Sequence, residues 1–138
     1  MFLTEADLTT HIVNEVKEYL TSDSKAKFSL IVRESIALVE GYLAHKYDTE
    51  LIFSQKGRNR NLLILKILKA IVSYELYASL GRDRPNEIIS TRHEEALRWL
   101  EKVNTGEFKA NLPLKSMEEQ TTPSYLNLGS NKNYRSSF

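Results

Sequence analysis

At 138 residues, with 27% charged and 41% hydrophobic side chains, the chain has the length and composition of one globular domain, not of a disordered or two-domain protein. Nineteen Lys plus Arg against 18 Asp plus Glu leave a net charge of +1, so no overall field commits it to nucleic acid or to an anionic membrane. The absence of cysteine excludes disulfides, thiolate metal sites and redox chemistry at sulfur.

The leading stretch "MFLTEADLTTHIVNEVKEYL" carries acids within its apolar pattern and no basic lead, so it does not read as a signal peptide. Thr4 or Asp7 is suited to cap a first helix that turns Leu8, Ile12, Val16, Tyr19 and Leu20 inward, closed by "TSDS" at 21–24. A second helix is predicted from Lys25 to Tyr47. Phe28, Ile31, Val32, Ser35, Val39, Tyr42, Leu43 and Lys46 follow one stripe at steps of three and four. Gly41 lies inside it, at a cost of about 1 kcal/mol against alanine, and is expected to admit another helix at close range.

Residues 48–60, "DTELIFSQKGRNR", break this periodicity and read as a long loop anchored by Leu51, Ile52 and Phe53. Connections of about 12 or more residues are uncommon in compact domains and are often functional. A third helix, Asn61 to Leu80, is apolar almost all round and should be the central element that the others wrap. Lys66, Lys69 and Glu75 interrupt it, which argues against a membrane span. "GRDRPNE" then offers Gly81 as a helix stop and Pro85 as the first turn of the next. The fourth helix, Pro85 to Val103, aligns Ile89, His93, Ala96, Leu100 and Val103, flanked by Leu97 and Trp99, and ends at Asn104 and Gly106. Beyond Pro113 the pattern dissolves into a polar tail. The fold class is therefore mainly α: a single domain of about four helices over residues 1–112, with an extended C-terminal tail over 113–138.

Catalytic chemistry finds little footing. His93 stands beside Glu94 and Glu95, yet a zinc helix of this type needs a second histidine four positions on, and that position is Leu97. His11 and His45 belong to other helices, so His93 reads as a core-edge residue, with Glu94, Glu95 and Arg98 on a solvated face. No serine sits in a glycine elbow, and neither "GRNRN" nor "GRDRP" has the glycine spacing of a phosphate cradle. No catalytic residue, metal or cofactor is expected.

Two features remain. Between Leu51 and Tyr74 there is no acidic residue, whereas Lys56, Arg58 and Arg60 in the loop, and Lys66 and Lys69 beyond it, form a basic segment able to meet phosphates without reading bases. In the tail, Tyr125, Leu126, Leu128, Tyr134 and Phe138 are apolar anchors spaced through polar residues, a common way to dock on a partner.

The order of segments completes the reading. "VEGYLAHKY" (39–47), an apolar helix ending in "YELY", and "ALRWLEKVNTGEF" (96–108) together resemble Mu-like prophage proteins associated with the head-tail joining region, over roughly residues 3–113. The resemblance implies a non-enzymatic subunit, similar to head-tail connector or head-completion proteins, that forms a ring with copies of itself beneath the portal and extends the DNA channel. Portal and tail proteins are the implied partners. The implied location is the host cytoplasm during assembly and then the head-tail junction of the virion. In that setting Lys56, Arg58 and Arg60 would contact channel DNA nonspecifically, and the tail would add to a neighbouring subunit or a tail protein. Relatives carry an Asp- and Gly-rich connection between the first two helices. This chain has "TSDSKAKF" (21–28) instead, so no calcium-type loop carries over. The alternative is a small helical nucleic-acid-binding or regulatory module using the basic 56–69 segment.

Overall fold

The computed structural model describes residues 2–10, 25–79 and 87–115. Among these the architecture is helical throughout, with an isolated β-bridge in place of any sheet. Helix α1 spans Lys25–Leu43, α2 Thr49–Ser54, α3 Leu62–Ser79 and α4 Glu87–Asn104, with 3-10 turns at Glu5–Thr10 and Gly57–Asn59. Helix α3 lies at the centre, packed against α4, α1 and the first 3-10 turn.

The apolar stripe of α1 buries Phe28, Ile31, Val32, Ser35, Val39 and Leu43 as its spacing predicts. The helix stops four residues before Tyr47 because the backbone there is taken up elsewhere. Tyr47 bridges Leu114 in antiparallel fashion. Asp48 N–H donates to the Pro113 carbonyl at 2.8 Å, and Lys115 N–H to that of Lys46 at 3.1 Å. Tyr47 itself is 1% exposed, and its hydroxyl accepts the Ala110 N–H at 3.2 Å. The polypeptide therefore stays tied to the helical body as far as Lys115.

Gly41 departs from expectation. It is exposed, and a Cβ placed on it would meet nothing within 4 Å. Among the described residues no helix approaches it.

The stretch 48–60 is not the loop that its sequence suggests. The Asp48 carboxylate accepts the Leu51 N–H at 3.0 Å, an N-cap that starts α2. The Ser54 hydroxyl and the Gln55 amide both donate to the Leu51 carbonyl at the other end. Of the expected anchors, Ile52 is buried and Phe53 packs edge-on against Phe2, ring centroids 5.2 Å apart. Leu51 points outward, 45% exposed.

Asn61 caps α3, its side-chain oxygen accepting the Ile64 N–H at 3.0 Å. From Ile64 to Leu76 the helix buries nine residues. Each fully buried Leu or Ile contributes about 1.5–3 kcal/mol, so α3 supplies the largest share of the core. Its first turn is the exception to the all-round burial expected of it, with Leu62 77% and Leu63 42% exposed.

In α4, Ile89, Ala96, Leu100 and Val103 face inward. The helix ends as the sequence indicates: Gly106 adopts φ +86°, a left-handed conformation that glycine takes without a Cβ penalty. The Phe108 N–H then returns to the Lys102 carbonyl. The expected first-helix positions Ile12, Val16, Tyr19 and Leu20, and the turn with Gly81 and Pro85, lie outside the described residues.

Candidate functional site

The basic segment is built on the short connection between α2 and α3. Gly57 adopts φ +59°, and the 3-10 turn it begins leaves Lys56, Gly57, Arg58 and Asn59 exposed. Lys56 and Arg58 flank this glycine, two exposed cations at the tip of a tight turn.

Arg60 behaves differently. Its Nε donates to the Gly57 carbonyl at 2.8 Å, Nη1 to the Phe2 carbonyl at 2.8 Å and to Asp7 Oδ2 at 2.7 Å, and Nη2 to Asp7 Oδ1 at 3.2 Å. Both side chains of the pair are about 15% exposed. A loop arginine would be open to phosphate; instead the Arg60 guanidinium is committed to a two-pronged pair with Asp7 and to two backbone carbonyls. A bidentate pair of this kind fixes geometry as well as charge. Thr4 contributes N–H and hydroxyl hydrogen bonds, 2.8 and 2.9 Å, to the same carboxylate. Partial burial pushes the Asp7 pKa up, but the Arg60 and Thr4 hydrogen bonds outweigh it and hold the carboxyl below its ordinary 3.8. Nothing in the spacing of Asp7 and Arg60 announces the pair, since 53 residues separate them.

Lys66 is exposed on the second turn of α3, and Lys69 is half-buried one turn further. Lys66 belongs with a different feature, a groove between α3 and α4. Leu63, Ile67, Ala96 and Trp99 line it, with Lys66, Arg92 and Glu95 at its rim. The exposure of Leu63 and the half-burial of Trp99 mark an apolar surface beside the seam that periodicity predicts, with Trp99 on its flank as expected.

His93 sits on the α3–α4 contact, stacked on Tyr74 with centroids 4.0 Å apart and planes 8° from parallel. Burial lowers its pKa, and the carboxylates of Glu75 and Glu94 only partly offset that effect. His45 is exposed, and His11 lies outside the described residues. Among the described residues no three His, Cys, Asp or Glu side chains gather around one point. The Ser73 and Tyr77 hydroxyls, one turn apart on α3, are buried without a hydrogen-bond partner. Candidate docking residues Tyr125, Leu126, Leu128, Tyr134 and Phe138 all lie outside the described residues.

The arrangement offers a small cationic tip, an apolar groove and a folded helical body. No described helix is long and apolar enough to cross a membrane. In comparison with known proteins, the family model described as "Bacteriophage Mu, Gp36" matches residues 2–126. The match runs past residue 113, where the resemblance ended, and takes in Tyr125 and Leu126 while stopping short of Tyr134 and Phe138. No curated protein and no solved structure matches.

Proposed function

Because the chain belongs to the bacteriophage Mu Gp36 family, we propose that this phage protein is a non-enzymatic structural subunit of the head-tail joining region, assembling as a ring beneath the portal. The family match over residues 2–126 carries this reading. A helical body with a large buried stripe on its central helix suits a subunit that keeps its shape while neighbours pack against it. Its partners are copies of itself and the portal and tail proteins. It acts in the host cytoplasm during assembly and at the head-tail junction in the finished particle.

In this reading Lys56 and Arg58 face the DNA channel and touch phosphates without base selection. Arg60 is removed from that role by its pair with Asp7 and instead braces the turn that presents the other two. The test is electron microscopy of particles assembled with the chain tagged at its C-terminus. Label at the head-tail junction, with ring density there, is the expected result; label on the capsid shell or tail fibre refutes the proposal.

The exposure of Lys56 and Arg58 supports a second reading, a free nucleic-acid-binding module. Salt-sensitive, sub-micromolar binding of the isolated chain to duplex DNA, abolished by Lys56→Glu/Arg58→Glu, would favour it. A structural subunit with two exposed cations makes few phosphate contacts, so it should bind free duplex weakly and with a shallow salt dependence.

A further inference from the structure

We propose that the groove between α3 and α4 is the docking site for the segment of the same chain that follows Lys115, anchored by Tyr125 and Leu126. The groove has an apolar floor of Leu63, Ile67, Ala96 and Trp99 and a volume of about 190 Å³, the scale of individual side chains. Leu63 lies on the central helix yet is 42% exposed, so occupation of the groove would remove apolar surface that the helical body leaves in water.

Three observations select the occupant. The family match does not stop with the helices: it continues through Leu126, so the segment carrying Tyr125 and Leu126 belongs to the family pattern, whereas Tyr134 and Phe138 do not. Reach is sufficient. Lys115 is held to the body by its bond to Lys46, and the ten residues from there to Tyr125 span up to about 33–36 Å when extended. A domain of about 115 residues has a radius of gyration of only about 13 Å. Charge also matches, because Glu118 and Glu119 lead into the anchors, and Lys66 and Arg92 outnumber Glu95 at the rim.

Tethering makes a weak contact sufficient, since attachment to the same chain gives an effective concentration in the millimolar range. The docking is independent of the subunit's place in a particle and stands or falls separately from it.

Trp99 is the chain's only tryptophan, so its fluorescence reports on the groove alone. In the full-length chain, Tyr125→Ser/Leu126→Ser should shift Trp99 emission to the red and steepen its quenching by acrylamide, with far-UV circular dichroism unchanged. The difference should persist on dilution, and Tyr134→Ser/Phe138→Ser should quench like the parent chain. Identical quenching of all three proteins overturns the proposal. Protection that disappears on dilution assigns the groove to the segment of a second copy and also overturns it, as does an effect confined to the Tyr134/Phe138 variant.

Discussion

Arg60 shows what one side chain can do for a molecule of this size. Replacing it with alanine takes the guanidinium donors from the Phe2 carbonyl and from the Asp7 carboxylate, which keeps only its two hydrogen bonds from Thr4. Hydrogen bonds to charged groups contribute about 1.5–3 kcal/mol, and partial exposure of the pair reduces this, so Arg60→Ala should cost about 1–2 kcal/mol in urea unfolding. The pH dependence follows from the depressed Asp7 pKa. The folded state binds the proton less readily than the unfolded chain, so the stabilisation is complete above the unfolded value near 3.8 and is lost as pH falls through the lower folded value. The parent chain should lose this increment below about pH 4, and Arg60→Ala should lose less, because only the Thr4 hydrogen bonds still lower the Asp7 pKa. His93 has the same sign for a different reason: burial disfavours its charged form. Its neutral form is favoured above the ordinary value of 6.5, and the fold weakens as pH drops below it. His93→Ala removes the stack on Tyr74 and should cost about 1 kcal/mol, the scale of an aromatic pair, measured at pH 8. Neither pairing was legible in the sequence. A side chain finds a partner 53 or 19 residues away through the fold, and only the candidate status of His93 as a core-edge residue could be read from its helical position.

At the scale of elements, legibility followed length. α1, α3 and α4 run long enough for apolar residues to repeat over several turns, and their stripes predicted the buried faces. α2 is six residues long, too short for any period to declare itself. Its signals were an acceptor at Asp48 and an acid at Glu50, the marks of a helix start. Asp48→Ala should therefore cost about 1 kcal/mol, seen as a lower urea midpoint with an unchanged slope. Gly41 misled in the opposite direction. Inside a helix, glycine identifies a position with room for a neighbour, but the room can be open water. With nothing within 4 Å, Gly41→Ala should stabilise the isolated chain by about 0.5–1 kcal/mol, read as a raised thermal midpoint.

At the scale of the molecule, the sequence conveyed the helical class and the central place of α3, because both follow from which faces are apolar. It did not convey how the chain closes. The meeting of 46–48 with 113–115 rests on backbone hydrogen bonds, which any residue but proline can donate, so composition leaves no trace of it. The candidate site was legible to the same degree: Lys56 and Arg58 stand out as cations, while the commitment of Arg60 and the opening beside Trp99 depend on tertiary packing. Ending the chain after Lys115 keeps every described core residue and the 46–48 to 113–115 hydrogen bonds, and should leave urea stability within about 1 kcal/mol of the full chain, the scale of a weak tethered contact. Ending it after Phe108 removes buried Leu112, two backbone hydrogen bonds and that of the Ala110 N–H to the Tyr47 hydroxyl and should cost about 3 kcal/mol or more.

The junction at Tyr47 also has a mechanical meaning. A pull delivered at Lys115 meets the bond to Lys46 and then that of Asp48 to Pro113, which must break before tension enters α4. These bonds, with the ring of Tyr47 beneath them, form a latch whose rupture is separate from unfolding. Stretched from a handle placed just after Lys115 against an anchor on α1, a single molecule should yield first in a short step at low force, with the three long helices intact, and only then in the extension that marks loss of the core.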